Sequence, residues 1–154
     1  MRFKRFLLEL GVSGKYIPIS LLDQEDEEHD EHLEKMDQLA RSSSINILRS
    51  KSPSSAYIDE KTGDIVGGLW TGSSGDQFDF DIIVNPKYKK DGFHIVNQLI
   101  DEGISEFRFH QEADPEIKMV LDVVNPTMAK FLEWRGFKLY PVPGMASRWV
   151  AELE

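Results

Sequence analysis

The chain has 154 residues, of which 40% are hydrophobic and 29% charged, the size and balance of one globular domain. Cysteine is absent, which excludes a disulfide framework, a thiolate zinc site and a cysteine nucleophile together. Its 18 basic and 27 acidic residues give a net charge of −9, and no gathering of Lys and Arg suggests a nucleic-acid footprint.

No apolar run approaches the ~20 residues that cross a bilayer, so no membrane span is expected. The opening MRFKRFLLEL is basic, then apolar, but Glu9 breaks it and no small-residue cleavage site follows. It reads as a poor signal peptide, and a cytoplasmic location is the expectation. Within it Phe3, Phe6, Leu7 and Leu10 have the spacing of a short helix with one apolar face. Gly11, Gly14 and Pro18 interrupt that pattern. From Ser20 the chain reads as helix again, with acids in the first turns and an apolar stripe of Leu33, Met36, Leu39 and Ala40. Between Asp23 and Asp37 nine acids meet one lysine, which leaves the rest of the chain close to neutral. Such a block is either a solvated helix face or a surface for a cationic partner, an amine or a basic protein.

Arg41 to Ser55 holds seven serines, three basic residues and a proline, and reads as loop around the short apolar stretch Ile45 to Leu48. The period then changes. Ala56 to Asp59 and Ile65 to Trp70 are strand-like runs joined by the glycine-containing turn Glu60 to Asp64. Thr71 to Gly75 reads as a second turn, and Gln77 to Val84 as a longer strand stopped by Pro86. Gly92 to Gly103 has helical spacing, with Phe93, Val96, Leu99 and Ile100 inward. Ile117 to Val124 is nearly continuous in apolar residues, the pattern of a strand covered on both faces. Asn125 and Pro126 open a last helix as N-cap and first residue, and Gly136 ends it. Phe137 to Tyr140 and Arg148 to Leu153 close the series as a hairpin. The order predicts an α/β (α+β) fold: one mixed, mainly antiparallel sheet flanked by helices.

Other constellations carry little. His29 and His32 lie near Glu25 and Glu28, but no further ligand cluster is evident, so no metal site is expected. Asp23 to Glu34 lacks the glycine of a calcium-binding loop, and Ser105 with His110 lacks a nucleophile elbow.

Three pieces in this order resemble the GNAT superfamily of acyl-CoA-dependent N-acyltransferases. AYIDEKTGDIVGGLW is similar to that family's second and third strands. The run Phe78 to Glu102, with VNPKYKKDG at its centre, is similar to its cofactor-binding motif. LDVVNPTMAKFLEWRGF resembles its penultimate strand and helix. The likeness runs from about Ala56 to the end of the chain. It implies a single GNAT-like domain over residues 1–154, with 1–55 an N-terminal helical, acceptor-side region and 56–154 the cofactor-binding core.

The resemblance implies acetyl-CoA as co-substrate, lying along Ile82, Ile83 and Val84, with its pyrophosphate on Lys89, Lys90, Asp91, Gly92, Phe93 and His94 and its pantetheine arm near Asn125. The physical logic is anion binding: a turn entering a helix N-terminus aims several N–H groups at one point, and the dipole adds to the attraction. The family's second small residue of this loop is here His94, which either closes the site or gives the phosphate a hydrogen bond. In the family a fourth-strand carboxylate often takes the amine's proton. Asp79 and Asp81 share one strand face here, and Asp81 is the implied base; the plainer alternative is that both simply face solvent. The usual tyrosine acid position holds Leu132, Tyr140 is out of register, and Phe131 and Trp134 read as core, so the acid is unassigned.

The implied function is acetyl transfer to an amine on a small molecule or a protein, drawn in by the acidic segment Asp23 to Asp37. The alternative is a catalytically silent GNAT-fold interaction or structural protein that docks through Met1 to Leu10 or the acidic segment. The leading peptide also looks like those of some bacteriophage proteins, which implies a phage-encoded or virion-associated role.

Overall fold

The computed structural model describes residues 16–21, 27–43 and 51–153, with backbone alone for 27–29. Met1 to Leu10, Ile45 to Leu48, the His29 side chain and the start of the acidic block lie outside what it describes. In chain order the elements are β1 (Tyr16–Ser20), α1 (Glu27–Ser42), β2 (Ser52–Asp59), β3 (Ile65–Ser74), β4 (Gln77–Val84), a 3-10 turn (Pro86–Asp91) running into α2 (Gly92–Ala113), β5 (Lys118–Val123), α3 (Pro126–Trp134), β6 (Lys138–Pro141) and β7 (Trp149–Leu153). The strands form one sheet in the order β1-β2-β3-β4-β5-β7-β6. Every neighbouring pair is antiparallel except β4 and β5, which are parallel. The mixed, mainly antiparallel sheet with flanking helices is therefore the architecture observed.

Strand alternation divides the core between the two faces. On one face Phe78, Phe80 and Ile82 of β4 join Leu69, Met119, Leu121 and Val123 under Ile95, Leu99, Ile100 and Phe107 of α2 and Leu132 of α3. On the other, Ala56, Ile65, Trp70 and Ile83 pack beneath Met36 and Leu39 of α1. The neighbouring glycines of β3 let both layers close. A Cβ on Gly67 would stand 2.4 Å from the Ile95 side chain, and one on Gly68 would stand 2.6 Å from Met36.

Several expectations are corrected. β1 is a strand although Pro18 lies within it, because the sheet edge leaves a missing N–H without consequence. β2 begins at Ser52 inside the serine-rich stretch, and β3 continues to Ser74 through the expected second turn. α2 runs on past Gly103 to Ala113; the glycine is a packing residue there, since a Cβ would meet the Phe80 ring at 2.6 Å. β5 is covered on one face only, with Lys118 and Asp122 exposed. Phe93 and Trp134, expected inward, are exposed at 62% and 71%. The apolar stripe of α1, the β2–β3 hairpin, the bounds of β4 and the Asn125 cap of α3 match expectation.

Candidate active site

β4 and β5 touch only at their starts. Their parallel pairing holds Gln77 to Lys118 and Phe78 to Met119, and no register continues beyond. On its other side β4 stays paired with β3 all the way from Gln77 to Val84. The β5-facing N–H and C=O groups of β4 past Phe80 thus have no strand partner among the described residues. A V-shaped opening results, a cavity of about 160 Å³ lined by Phe80, Asp81, Ile82, residues 121–125, Met128 and Leu132. Alternation puts Phe80, Ile82, Leu121 and Val123 on its α2–α3 side and Asp81 and Asp122 on the α1 side. An extended chain carrying amides can pair with an open strand edge of this kind.

The far end of β4 leads directly into the loop that the sequence marks for anions. Asn85 accepts a hydrogen bond from the Lys87 N–H at 3.1 Å and donates its amide to the Ile65 carbonyl at 2.9 Å, which ties the loop to β3. Tyr88 holds the loop from the other side: its hydroxyl lies 3.0 Å from both the Asp59 and Asp64 carboxylates, and burial first, then those acids, push it up to about 12. Lys89 and Lys90 are exposed and form no ion pair among the described residues. Gly92 gives its N–H to the Lys89 carbonyl, and the first-turn N–H groups that follow point out of α2 at this end. Asp91 accepts a hydrogen bond from the Tyr16 hydroxyl, which anchors its carboxylate to β1. His94 is exposed, with the Phe93 ring set edge-on to it at 6.3 Å. Its imidazole therefore does not fill the end of the helix. Phe93 leans across to Phe131 at 4.4 Å between ring centroids, and so bridges α2 to α3 beside the opening.

Of the residues expected along the cofactor, Ile82 lines the opening, while the Ile83 side chain faces α1 and Val84 is partly buried against the α2-side core. Asn125 lines it too, its side-chain oxygen taken by the Thr127 N–H at 2.8 Å, and it positions α3 at the rim. Leu132 is buried at the position expected for an acid, and no tyrosine lines the cavity.

Asp81 is the expected carboxylate, and it is not alone. The ammonium of Lys51 lies 2.7 Å from Asp81 Oδ2 and 2.7 Å from Asp79 Oδ2, with only 7% of its side chain exposed. Burial by itself would lower the Lys51 amine, but its bonds and attraction to the two aspartates outweigh that and hold it above the usual lysine value. Burial raises the Asp79 carboxyl in turn, against the opposing pull of Lys51. Asp79 and Asp81 are thus not plain solvent-facing strand residues. Sequence reading missed Lys51, and Asp122 across the opening. Lys51 sits at the head of β2 in a stretch read as loop, and only the β2–β3–β4 register brings it to β4.

Elsewhere, a larger cavity of about 350 Å³ lies between β1–β2 and α2, walled by Tyr57, Glu102 and Glu106. Glu106 there is held by the Ser54 and Thr71 hydroxyls at 2.5 and 2.8 Å. The described acids of α1 at Asp30, Glu31, Glu34 and Asp37 are exposed, with Glu31 paired to Lys35 and Asp37 to Arg41 one turn along. No group of three or more metal-ligating side chains occurs among the described residues. No helix among them is long and apolar enough to cross a membrane.

No sequence-family model and no curated protein matches the chain. Solved structures do. One in the NatC complex bound to Gag peptide and CoA aligns at a TM-score of 0.60 with 13% identity, over 90% of this chain and 96% of that one. YncA from Salmonella typhimurium, described as a putative acetyltransferase with its cofactor acetyl-CoA, aligns at 0.54 with 13% identity, over 91% and 94%. The spermidine/spermine N-acetyltransferase SpeG from Vibrio cholerae aligns at 0.52 with 13% identity, over 90% of each chain. These alignments identify the fold of this chain as that of the GNAT N-acetyltransferases.

Proposed function

We propose that this protein is an N-acyltransferase that moves an acetyl group from acetyl-CoA to an amine. The observation that carries the reading is the open β4 edge, which leads from Asp81 at the cavity to the exposed Lys89 and Lys90 and a helix start. The residues present fit such a co-substrate. β4 past Phe80 offers amide partners, the α2 start with Lys89 and Lys90 offers an anion site, and Asn125 flanks the opening. When bound, acetyl-CoA supplies a thioester carbonyl at the opening. The structural likeness to YncA with its cofactor acetyl-CoA, and to a NatC structure that contains CoA, supports this choice.

An amine is unreactive while protonated, so the site must first remove a proton. Asp81 reaches the cavity wall from the α1 side and is the base in this reading. Lys51 holds the Asp81 carboxylate in place, and Asp79 shares that cation. Open N–H groups of β4 are suited to polarise a carbonyl laid along the strand. The acceptor is an amine on a small molecule or a protein, approaching on the face that bears α1 and its exposed acids.

The test is thiol release from acetyl-CoA in the presence of a panel of primary amines and N-terminal peptides. Acceptor-dependent release that falls in Asp81→Asn supports the reading, and an absence of release with every amine opposes it. The second reading, a GNAT-fold interaction module without catalysis, is favoured by Leu132 at the acid position and by the Lys51 cation spent on Asp81. A phage or virion setting belongs to that second reading alone.

A further inference from the structure

Lys51 is the one amine of the described residues that touches the site's carboxylates, and its burial sets it apart from the other lysines. Its nitrogen is one hydrogen bond from Asp81, which lines the opening between β4 and β5. We propose that Lys51 is itself an acyl acceptor: the protein acetylates its own Nζ in cis from acetyl-CoA bound at that opening. The proposal rests on the acyl-transfer reading above and names a modification site directly behind the Asp81 wall of that cavity.

The chemistry closes on groups already in contact. The Lys51 ammonium gives one proton to the Asp81 carboxylate, and the nitrogen lone pair attacks the thioester carbonyl carbon. A C–N bond forms and the C–S bond breaks. The sulfur leaves with the bond pair and takes the second nitrogen proton to become CoA thiol, and Asp81 later returns its proton to solvent. The product is a neutral amide, so acetylation removes the positive charge from between Asp79 and Asp81. The carboxylates that hold the ammonium are also the bases that start the reaction.

Geometry also separates this event from untemplated chemistry. Free acetylation of lysines follows exposure, so it reaches Lys61, Lys87, Lys89 and Lys90 first, Lys87 being 75% exposed. Lys51, at 7%, is reached last. The experiment is incubation of the full chain with acetyl-CoA, site mapping of acetyl-lysine by mass spectrometry over time, and a parallel calorimetric titration with desulfo-CoA. The expected result is Lys51 labelled faster than Lys61, Lys87 and Lys90 by roughly a hundredfold, the lower end of what a positioned general base supplies. Desulfo-CoA is expected to suppress labelling at Lys51 and to leave Lys61 and Lys87 unaffected, and Asp81→Asn to slow Lys51 alone. Labelling that favours exposed lysines, or Lys51 labelling untouched by desulfo-CoA, overturns the proposal. Desulfo-CoA binding without Lys51 acetylation overturns it while leaving the cofactor reading intact. Absence of any binding overturns both. The wild-type mapping needs no variant; Lys51→Arg, which keeps the charge and loses the acceptor, is expected to remove the fast site.

Discussion

The triad of Lys51, Asp79 and Asp81 sets what single residues do here. Asp81→Asn keeps the shape of the side chain and removes the proposed base, so turnover is expected to fall about a hundredfold with the circular dichroism unchanged. Lys51→Met leaves two partly buried carboxylates without a cation, a loss of about 3 kcal/mol by analogy with broken buried pairs. Because the Lys51 amine is raised in the folded protein, its stabilisation is fully present below the ordinary lysine range and is lost as pH rises through the raised value. The gap between wild type and Lys51→Met in chemical denaturation should therefore be constant near neutrality and close in strong alkali. His94→Gly is expected to keep or improve CoA affinity, since the imidazole is exposed and blocks nothing. The place of Asp81 on β4 was legible in the sequence because strand alternation and a turn after β4 are local features. Lys51 was not: it lies 28 residues before Asp79, and no short-range pattern encodes a cross-strand ion pair.

At the scale of elements, close approach explains both what the sequence shows and what it hides. Gly67→Ala would drive a Cβ to 2.4 Å from Ile95 and is expected to cost about 1–3 kcal/mol, read from the urea midpoint. Met36→Ala, at a fully buried position of α1, should cost about 2–5 kcal/mol through its cavity. Along α2, burial and then the neighbouring Glu106 raise the Glu102 carboxyl. A raised carboxyl destabilises the fold where it is charged, and that penalty fades as pH falls through the raised value towards the ordinary glutamate range. Glu102→Gln is accordingly expected to raise Tm at pH 7, and its advantage over wild type should vanish on acidification. β4 and the α3 cap were readable to the residue because Pro86, Asn125 and Pro126 punctuate them. The end of α2 was misread because Gly103, ordinarily a breaker, is here the seat of Phe80. β1 was missed because a proline is tolerated only by virtue of its edge position, a property of the whole sheet.

For the whole molecule, the parallel pair at the centre of an otherwise antiparallel sheet is the organising fact. Parallel β4 and β5 must be joined by a crossover, and α2 supplies it, so the helix start necessarily falls at the end of β4 where the strands have parted. The open edge, the helix start beside it and the carboxylate are thus consequences of one topology, while their use depends on the residues placed there. Lys89 and Lys90 act through long-range charge, so any CoA affinity should weaken with added salt and in Lys89→Ala and Lys90→Ala alike. The most direct measurement is a calorimetric titration of the full chain with acetyl-CoA and, separately, desulfo-CoA. Saturable binding of both at micromolar strength, about −8 kcal/mol, is the result this account predicts. No heat of binding with either ligand, from a protein shown to be folded, would contradict it.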